Sequence, residues 1–308
     1  MKKIPYKIFI GLPRKIYYYS LKFYREIFLP KFPNLFRISS YPYITGDTFR
    51  KFSDHILDEG EKIKINKIKE GEIVFVQSDF IEEYFDNYNP NITVSHILVT
   101  HNNLQPITEK YIDKVSENIM CWFAQNLDIK SEIEKLKALP LGIENIRTYS
   151  NGVTSHFENK IVKSNMDIKQ NLILSSFAPH TNIVIREKPA EVVKKISFID
   201  ISTYPDHKTY IQNLSTYKFN ICPSGAGIDT HRFWESLIVK SIPVVKRNNL
   251  NTHFENHGIP MLVLNEWEDL LLFDEEKLNR TYDELSHLLT VDRYLSFDYW
   301  LDLIKSQK

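Results

Sequence analysis

Short apolar runs rich in Ile, Val and Phe alternate along this chain with segments whose apolar residues recur at helical spacing. Such runs, when bounded by polar residues, are typical of buried strands, whereas spacings of three and four residues indicate helices. Strands are predicted at 72–79, 92–102, 171–177, 197–200, 217–223 and 241–246, and helices at 110–124, at 187–196 and directly after Thr230. Strands that alternate with helices favour parallel sheets with crossover helices, so the predicted fold class is α/β.

The length of the chain and one polar segment predict two domains. A chain of 308 residues is long enough for two domains, each with its own core. The lysine-rich segment ENKIVKSNMDIKQ, residues 158–170, is the predicted linker. We therefore expect an N-terminal domain over residues 1–165 and a C-terminal domain over residues 166–308.

Positive charge is concentrated at the start of the chain. Residues 1–37 contain nine Lys or Arg and ten Phe or Tyr against one acid, Glu26, while the whole chain has zero formal net charge. A neutral chain is a poor electrostatic match for nucleic acid, so no nucleic-acid partner is expected. Neither a spanning helix nor a secretion signal is evident, which predicts a cytoplasmic protein. Residues 1–37 either lie peripherally on an anionic membrane or form an ordinary first strand and helix.

One stretch, NICPSGAGIDTHRFWESLIVKSIPVV (220–245), is the main candidate for chemistry. The chain has only nine glycines, yet Gly225 and Gly227 lie two residues apart, between a predicted strand and a predicted helix. Glycines at such a turn allow the backbone to approach a ligand closely, and a helix N-terminus favours an anion. With Arg232 in the first turn of the helix, the stretch indicates a site for a phosphate-bearing ligand.

Other interpretations of this stretch fit less well. A phosphate-binding P-loop needs a lysine after its second glycine, and a dinucleotide fingerprint needs a third small residue where Thr230 stands. A zinc pair of His231 and Glu235 lacks an evident third ligand nearby. A purely structural turn stays open as an alternative.

Residues 218–245 resemble the donor-sugar signature of exostosin-type glycosyltransferases, family 47, and of related bacterial enzymes. The shared pattern is a strand, Cys-Pro-x-Gly, a helix with an acidic-x-x-Arg-x-x-Glu sequence, and an Ile-Pro-Val strand. SSFAPHTNIVIREKP (175–189) resembles the Thr-Asn-x-x-x-Arg element of the same domain. Weaker similarity extends the resemblance over much of residues 41–250, in segments 41–59, 97–107 and 121–145.

The resemblance implies a GT-B fold, in which two Rossmann-like domains enclose the active site, and a nucleotide-sugar donor held by the C-terminal domain. It matches Arg186 and Arg232 to the family arginines that neutralise the departing diphosphate, and Glu235 to a residue that binds ribose. The chain contains no Asp-x-Asp motif, which is consistent with metal-independent chemistry without a cofactor. The full predicted donor site is Thr181, Asn182, Arg186, Ser224, Gly225, Gly227, Thr230, His231, Arg232 and Glu235.

An inverting transfer also requires a base that takes the proton of the acceptor hydroxyl. The resemblance implies that this base lies in the N-terminal domain, where Asp47 and His101 are the candidates beside Arg232 as catalytic residues. Asp47 could instead cap the helix predicted to follow it, and His101 could be a structural histidine.

The sequence therefore predicts an inverting, metal-independent glycosyltransferase. It would move a sugar from a nucleotide-sugar donor to a glycan or lipid-linked glycan acceptor of a surface polysaccharide or lipopolysaccharide. A non-catalytic nucleotide- or sugar-binding module and an NAD-dependent enzyme are the alternatives.

Overall fold

The computed structural model describes residues 37–131, 133–146, 151–166 and 168–308. Most of the basic segment 1–37 lies outside the described residues, with the exception of Arg37. The described residues form two five-stranded sheets in which all strand pairs are parallel. This confirms the predicted α/β class with two parallel sheets.

The first sheet keeps its strands in chain order. Its five strands are β1 (His55–Leu57), β2 (Ile73–Gln77), β3 (His96–His101), β4 (Ile119–Gln125) and β5 (Leu136–Leu139). The middle strands carry apolar residues on both faces, and Phe75, Leu98 and Trp122 are completely buried there. Continuous apolar runs of this kind are expected where helices or loops cover both faces of a parallel sheet.

In the second sheet the spatial order of the strands reverses at β6. Its strands are β6 (Asn171–Ser175), β7 (Ile199–Ile201), β8 (Tyr217–Ile221), β9 (Ile242–Lys246) and β10 (Leu262–Leu264), in the spatial order β10-β9-β8-β6-β7. The chain moves to one side of β6 to form β7 and then returns to the other side to form β8. The carboxyl ends of β6 and β8 therefore flank a topological switch point, where open α/β sheets form a crevice.

Nine α-helices connect or flank the strands in the described residues. They are α1 (Gly46–Lys51), α2 (Ile81–Glu83), α3 (Lys160–Met166), α4 (Ile183–Val193), α5 (His207–Leu214), α6 (His231–Ile238), α7 (Asn249–Asn256), α8 (Glu275–Ser286) and α9 (Phe297–Lys305). The first turns of α1 and α5 are fixed by side-chain caps from Thr45 and Asp206. None of the helices in the described ranges has the length and apolar character needed to cross a bilayer.

The helix predicted over 110–124 is wrong. A short 3-10 helix, Glu109–Lys114, is followed by the buried strand β4. The apolar spacing of Ile112, Val115, Ile119 and Phe123 suggested one helical face, but the last two residues lie in a strand that is buried on both sides. A strand of this kind shows no alternation, so periodicity alone cannot distinguish it from a helix.

The predicted linker 158–170 contains helix α3. We call residues 37–165 the first half of the chain and residues 166–308 the second half. Val162 on this helix is fully buried in a small apolar cluster that includes Leu174, Tyr210 and Leu214 of the second half. Lysine-rich sequence here therefore marks the exposed face of a helix whose other face packs on the second half.

The last helix returns to the first half of the chain. Phe297 packs against Phe49 with ring centroids 5.1 Å apart, and its N–H donates to the carbonyl of Pro42 at 3.0 Å. Tyr41 donates to Asp298 at 2.8 Å. The start of α9 thus adds non-covalent contacts between the halves to the covalent connection before β6.

Candidate functional site

A cavity with a volume of about 710 Å³ opens between residues of the two sheets. The second half supplies most of its wall, from the loops after β6, β7 and β8 and from the start of α6. Leu104, Leu141 and Asn151 line the cavity from the first half. Its volume lies within the range of cavities that hold small molecules and cofactors.

Arg186 joins the two loops at the switch point. Its Nε donates to the carbonyl of Ser224 at 3.0 Å, and Nη1 donates to the carbonyl of Ala178 at 3.2 Å and to the hydroxyl of Thr181. Burial lowers the pKa of Arg186 to about 10, and the charge of nearby Arg232 adds to the lowering. The arginine stays charged at neutral pH, and a bound anion would offset both penalties.

Arg232 lies beside Arg186 in the same wall. Its Nη2 donates to the carbonyl of Ser176 at 3.1 Å, while its Nε is buried without a hydrogen-bond acceptor in the described residues. Among the described residues, no carboxylate lies within ion-pair distance of the guanidinium of Arg186 or of Arg232. Two neighbouring cations without an ion-pair partner are a feature that favours a bound anion.

Gly225 and Gly227 are explained by contacts within the protein. A Cβ at Gly225 would lie 2.7 Å from Nη2 of Arg186, and one at Gly227 would lie 3.0 Å from Nδ2 of Asn126. The N–H of Gly225 donates to the carbonyl of Gly227 at 2.9 Å. Both glycines also line the cavity, so the prediction that they belong to a ligand site stays a prediction beside these internal contacts.

The remaining predicted donor residues fall into two groups. Thr181 and Thr230 line the cavity, although the side chain of Thr230, at the N-cap position of α6, makes no capping bond. Asn182 caps α4 and donates to the carbonyl of Gly225 at 2.6 Å, and Ser224 donates to the carbonyl of Ile228 at 3.0 Å. Neither Asn182 nor Ser224 lines this cavity, so these two residues shape the loops instead.

Glu235 is held by a histidine that sequence reasoning missed. His207 lies with Glu235 in the cavity wall, and its Nε2 approaches Oε1 of Glu235 at 3.0 Å. Its Nδ1 lies 2.9 Å from Nδ1 of His156. Burial raises the pKa of Glu235, but the hydrogen bond and charge of His207 outweigh it and lower the pKa overall. A carboxylate ionised in this way can accept hydrogen bonds from ligand hydroxyls.

Asp229 and His231 join the two halves at the edge of the cavity. Asp229 accepts from the N–H of Leu141 at 2.9 Å, from that of Thr230 at 2.7 Å and from Nε1 of Trp234. Burial raises the pKa of Asp229 to about 6. Nδ1 of His231 donates to the carbonyl of Gly142 at 2.8 Å. Both residues therefore fix α6 against the segment after β5.

The structure does not bring the two predicted bases to the cavity. Asp47 is 1% exposed and accepts from Arg37 at 3.2 Å and from Asn102 at 3.1 Å. It lies inside the first turn of α1, whose N-cap is Thr45 rather than Asp47.

His101 is equally enclosed. Its Nε2 donates to the carbonyl of Pro140 at 3.0 Å, and its Nδ1 accepts from the N–H of Asn102 at 2.7 Å. Burial lowers the pKa of His101 to about 4, so the ring is neutral at physiological pH. With both ring nitrogens engaged, His101 is a structural histidine.

A scan against protein-family models found no match to this chain, and a search of curated proteins found none either. Inferences about function therefore depend on the cavity and on the motifs that surround it.

Proposed function

We propose that this protein is a glycosyltransferase of GT-B architecture that transfers a sugar from a nucleoside-diphosphate donor. The observation that carries the proposal is the cavity at the switch point of the second sheet. It presents Arg186 and Arg232 without a carboxylate partner among the described residues, close to the N-terminus of α6. Crevices of this kind at the carboxyl ends of parallel strands are where open α/β folds bind nucleotides.

The cavity wall contains a polar group suited to each part of such a donor. Glu235 and His207 lie towards the loop after β7, where Tyr204 offers an aromatic ring, and suit a ribose and a nucleobase. Arg186 and Arg232 suit the diphosphate. His231 and Leu141 lie towards the first half and suit the sugar and the incoming acceptor.

Charge on the leaving group governs the proposed chemistry. When the bond between the anomeric carbon and the diphosphate breaks, negative charge develops on the phosphate oxygen. Guanidinium groups already fixed in the wall stabilise that charge without reorganisation. Arg186 is fixed by loop carbonyls, and Arg232 is held by the carbonyl of Ser176.

The proposal is tested by binding of nucleoside diphosphates. We expect one nucleoside diphosphate among UDP, GDP, dTDP, CDP and ADP to stabilise the protein in a thermal-shift assay. At 100 times its dissociation constant it should add about 2.7 kcal/mol to the free energy of unfolding. The matching sugar donor should then release that diphosphate, which a non-catalytic binding module would not do. Absence of binding by every diphosphate would contradict the proposal.

We further propose that the acceptor is a glycan on an anionic membrane surface, approached through the basic segment 1–37. Substituting Lys2, Lys3, Lys7, Arg14 and Lys15 by Gln should abolish binding to phosphatidylserine vesicles at low salt, since each charge contributes up to roughly 1 kcal/mol. Thermal stability should not change. Equal binding of the wild type to neutral vesicles would argue against this electrostatic contact.

A further inference from the structure

His231 differs from the other titratable side chains of the cavity wall in its hydrogen bonding. Because a carbonyl oxygen can only accept, the bond from Nδ1 to the carbonyl of Gly142 at 2.8 Å puts the ring proton on Nδ1. In the neutral ring Nε2 then carries a lone pair. His231 is half-buried and lines the cavity, so this lone pair belongs to a side chain that a ligand can reach.

The carbonyl that holds His231 is itself fixed. Gly142 has a φ of +71°, and a Cβ there would lie 2.0 Å from the carbonyl oxygen of Ile44. The next residue, Ile143, donates its N–H to that same oxygen at 3.0 Å. The backbone at this point therefore has little freedom, and the orientation of the His231 ring is set by it.

Asp229, His207 and Asp206 of the wall are already engaged, and Oε1 of Glu235 faces Nε2 of His207. Both oxygens of Asp229 accept N–H donors, and both nitrogens of His207 face Glu235 or His156. Asp206 is the exposed N-cap of α5, and hydrogen bonding from the N–H of Thr209 lowers its pKa. A base needs an accessible lone pair, and His231 meets this requirement best.

His231 and Arg232 are consecutive residues whose side chains line the same cavity but bond to different segments. His231 is bonded to the first half through Gly142, whereas Arg232 is bonded to the carbonyl of Ser176 in the loop after β6. A displacement with inversion needs the base and the charge that stabilises the leaving oxygen on opposite faces of the anomeric carbon, and these separate anchors are compatible with that requirement.

We propose that His231 is the general base of the transfer, a role that rests on the proposed function. Nε2 takes the proton of the acceptor hydroxyl while the acceptor oxygen forms its bond to the anomeric carbon. The bond from that carbon to the diphosphate oxygen breaks, and its electron pair leaves with the diphosphate beside Arg232. The imidazolium then returns the proton to solvent.

The test uses His231→Asn, because the Asn amide can still donate to Gly142 but has no group in the place of Nε2. The nucleoside diphosphate that binds the wild type best should bind the variant within about threefold by calorimetry. Release of diphosphate from the matching sugar donor should fall about 100-fold to 10,000-fold. The decline of kcat/KM at acid pH, which reports the protonation of the base, should disappear. His287→Asn, at an exposed position, is the matched control.

Turnover by His231→Asn within threefold of the wild type, with the same pH profile, would overturn this role. A wild type that binds no nucleoside diphosphate would instead overturn the proposed function. A third measurement is independent of turnover. Nitrogen-15 NMR of labelled histidines, with His231 assigned from the Asn variant, should show the proton on Nδ1, and a proton on Nε2 would exclude the base.

Discussion

The carboxyl edges of the two sheets differ in how their charged groups are satisfied. At the edge of the first sheet, Asp47 and His101 are buried and bonded to neighbouring side chains and backbone. At the edge of the second sheet, Arg186 and Arg232 face a cavity, without a carboxylate partner in the described residues. A polar cluster at a strand end is therefore not enough to predict a site, since the switch point and two arginines without an ion-pair partner distinguish the second edge.

Two histidines make the contrast sharper. His101 and His231 approach the same short segment, and they donate to the carbonyls of Pro140 and Gly142. His101 uses its second nitrogen to accept from a backbone N–H, while the second nitrogen of His231 has no hydrogen-bond partner among the described residues and its side chain lines the cavity. The first histidine should therefore affect stability, and the second should affect turnover.

The largest expected effect is the pH dependence of stability at His101. Burial lowers its pKa to about 4 from an ordinary value of 6.5, so the unfolded chain binds the extra proton between these values. The free energy of unfolding contributed by His101 should thus fall by about 3 kcal/mol as the pH drops from 6.5 to 4. His101→Gln should lose this dependence, as measured by urea unfolding across that range.

Asp229 provides the control of opposite sign. Burial raises its pKa to about 6 from 3.8, so the folded chain takes up the proton first, and stability should rise as the pH falls through 6. Asp229→Asn should therefore make the free energy of unfolding fall more steeply towards acid pH than in the wild type, whereas His101→Gln should make it fall less steeply. Parallel pH profiles for the wild type and both variants would contradict the two assignments.

The next effect concerns the open edge. Arg232→Ala should lower release of nucleoside diphosphate from the sugar donor by about 100-fold, because a preorganised charge on the leaving oxygen is lost. Arg280→Ala removes an exposed arginine that is paired with Glu276, and it should leave turnover unchanged. If both variants retain full turnover, the second edge is no more functional than the first.

A smaller effect should appear where the two edges meet. Gly142 and Gly258 have nearly the same φ, +71° and +74°, but a Cβ meets the carbonyl of Ile44 only at Gly142 and open space at Gly258. Gly258→Ala should cost about 1 to 2 kcal/mol from the left-handed backbone alone. Gly142→Ala should cost clearly more in thermal unfolding, and equal costs would remove the evidence for a rigid segment.

The smallest expected effect is that of chelation. Because the arginines at the second edge supply the positive charge for the leaving group, release of diphosphate should continue in EDTA. Stimulation by Mg²⁺ of a reaction that already runs would be compatible, since the ion also binds free diphosphate. Complete loss of diphosphate release in EDTA, restored by Mn²⁺, would show that the arginines do not suffice to stabilise the leaving group.

Local sequence predicted the second sheet better than the first. The β-branched runs at β6, β8 and β9 are short and bounded by polar residues, and each forms a strand. In the first sheet, the apolar residues near β4 imitated a helix, because a central parallel strand is buried on both faces. The cap at Thr45 and the short strand β1 were also missed, since a three-residue strand has too few positions to show a pattern.

The candidate site was predictable where one segment contains it and not where two segments meet. The arginines and Glu235 follow from motifs that are local in the chain. The role of His207 depends on its contact with Glu235, 28 positions away, and that of His231 depends on Gly142, 89 positions away. Asp206 caps the helix that begins at His207, but no local feature identifies the partner of that histidine.

The two glycines of the turn after β8 have different consequences for evolutionary change. A Cβ at 225 would crowd the guanidinium of Arg186, within one half of the chain, whereas a Cβ at 227 would crowd Asn126 of the other half. In related sequences a larger residue at 225 should accompany loss of the arginine at 186, and a larger residue at 227 should accompany a smaller one at 126. Drift at 225 would then change the anion site, while drift at 227 would change how closely the two halves meet.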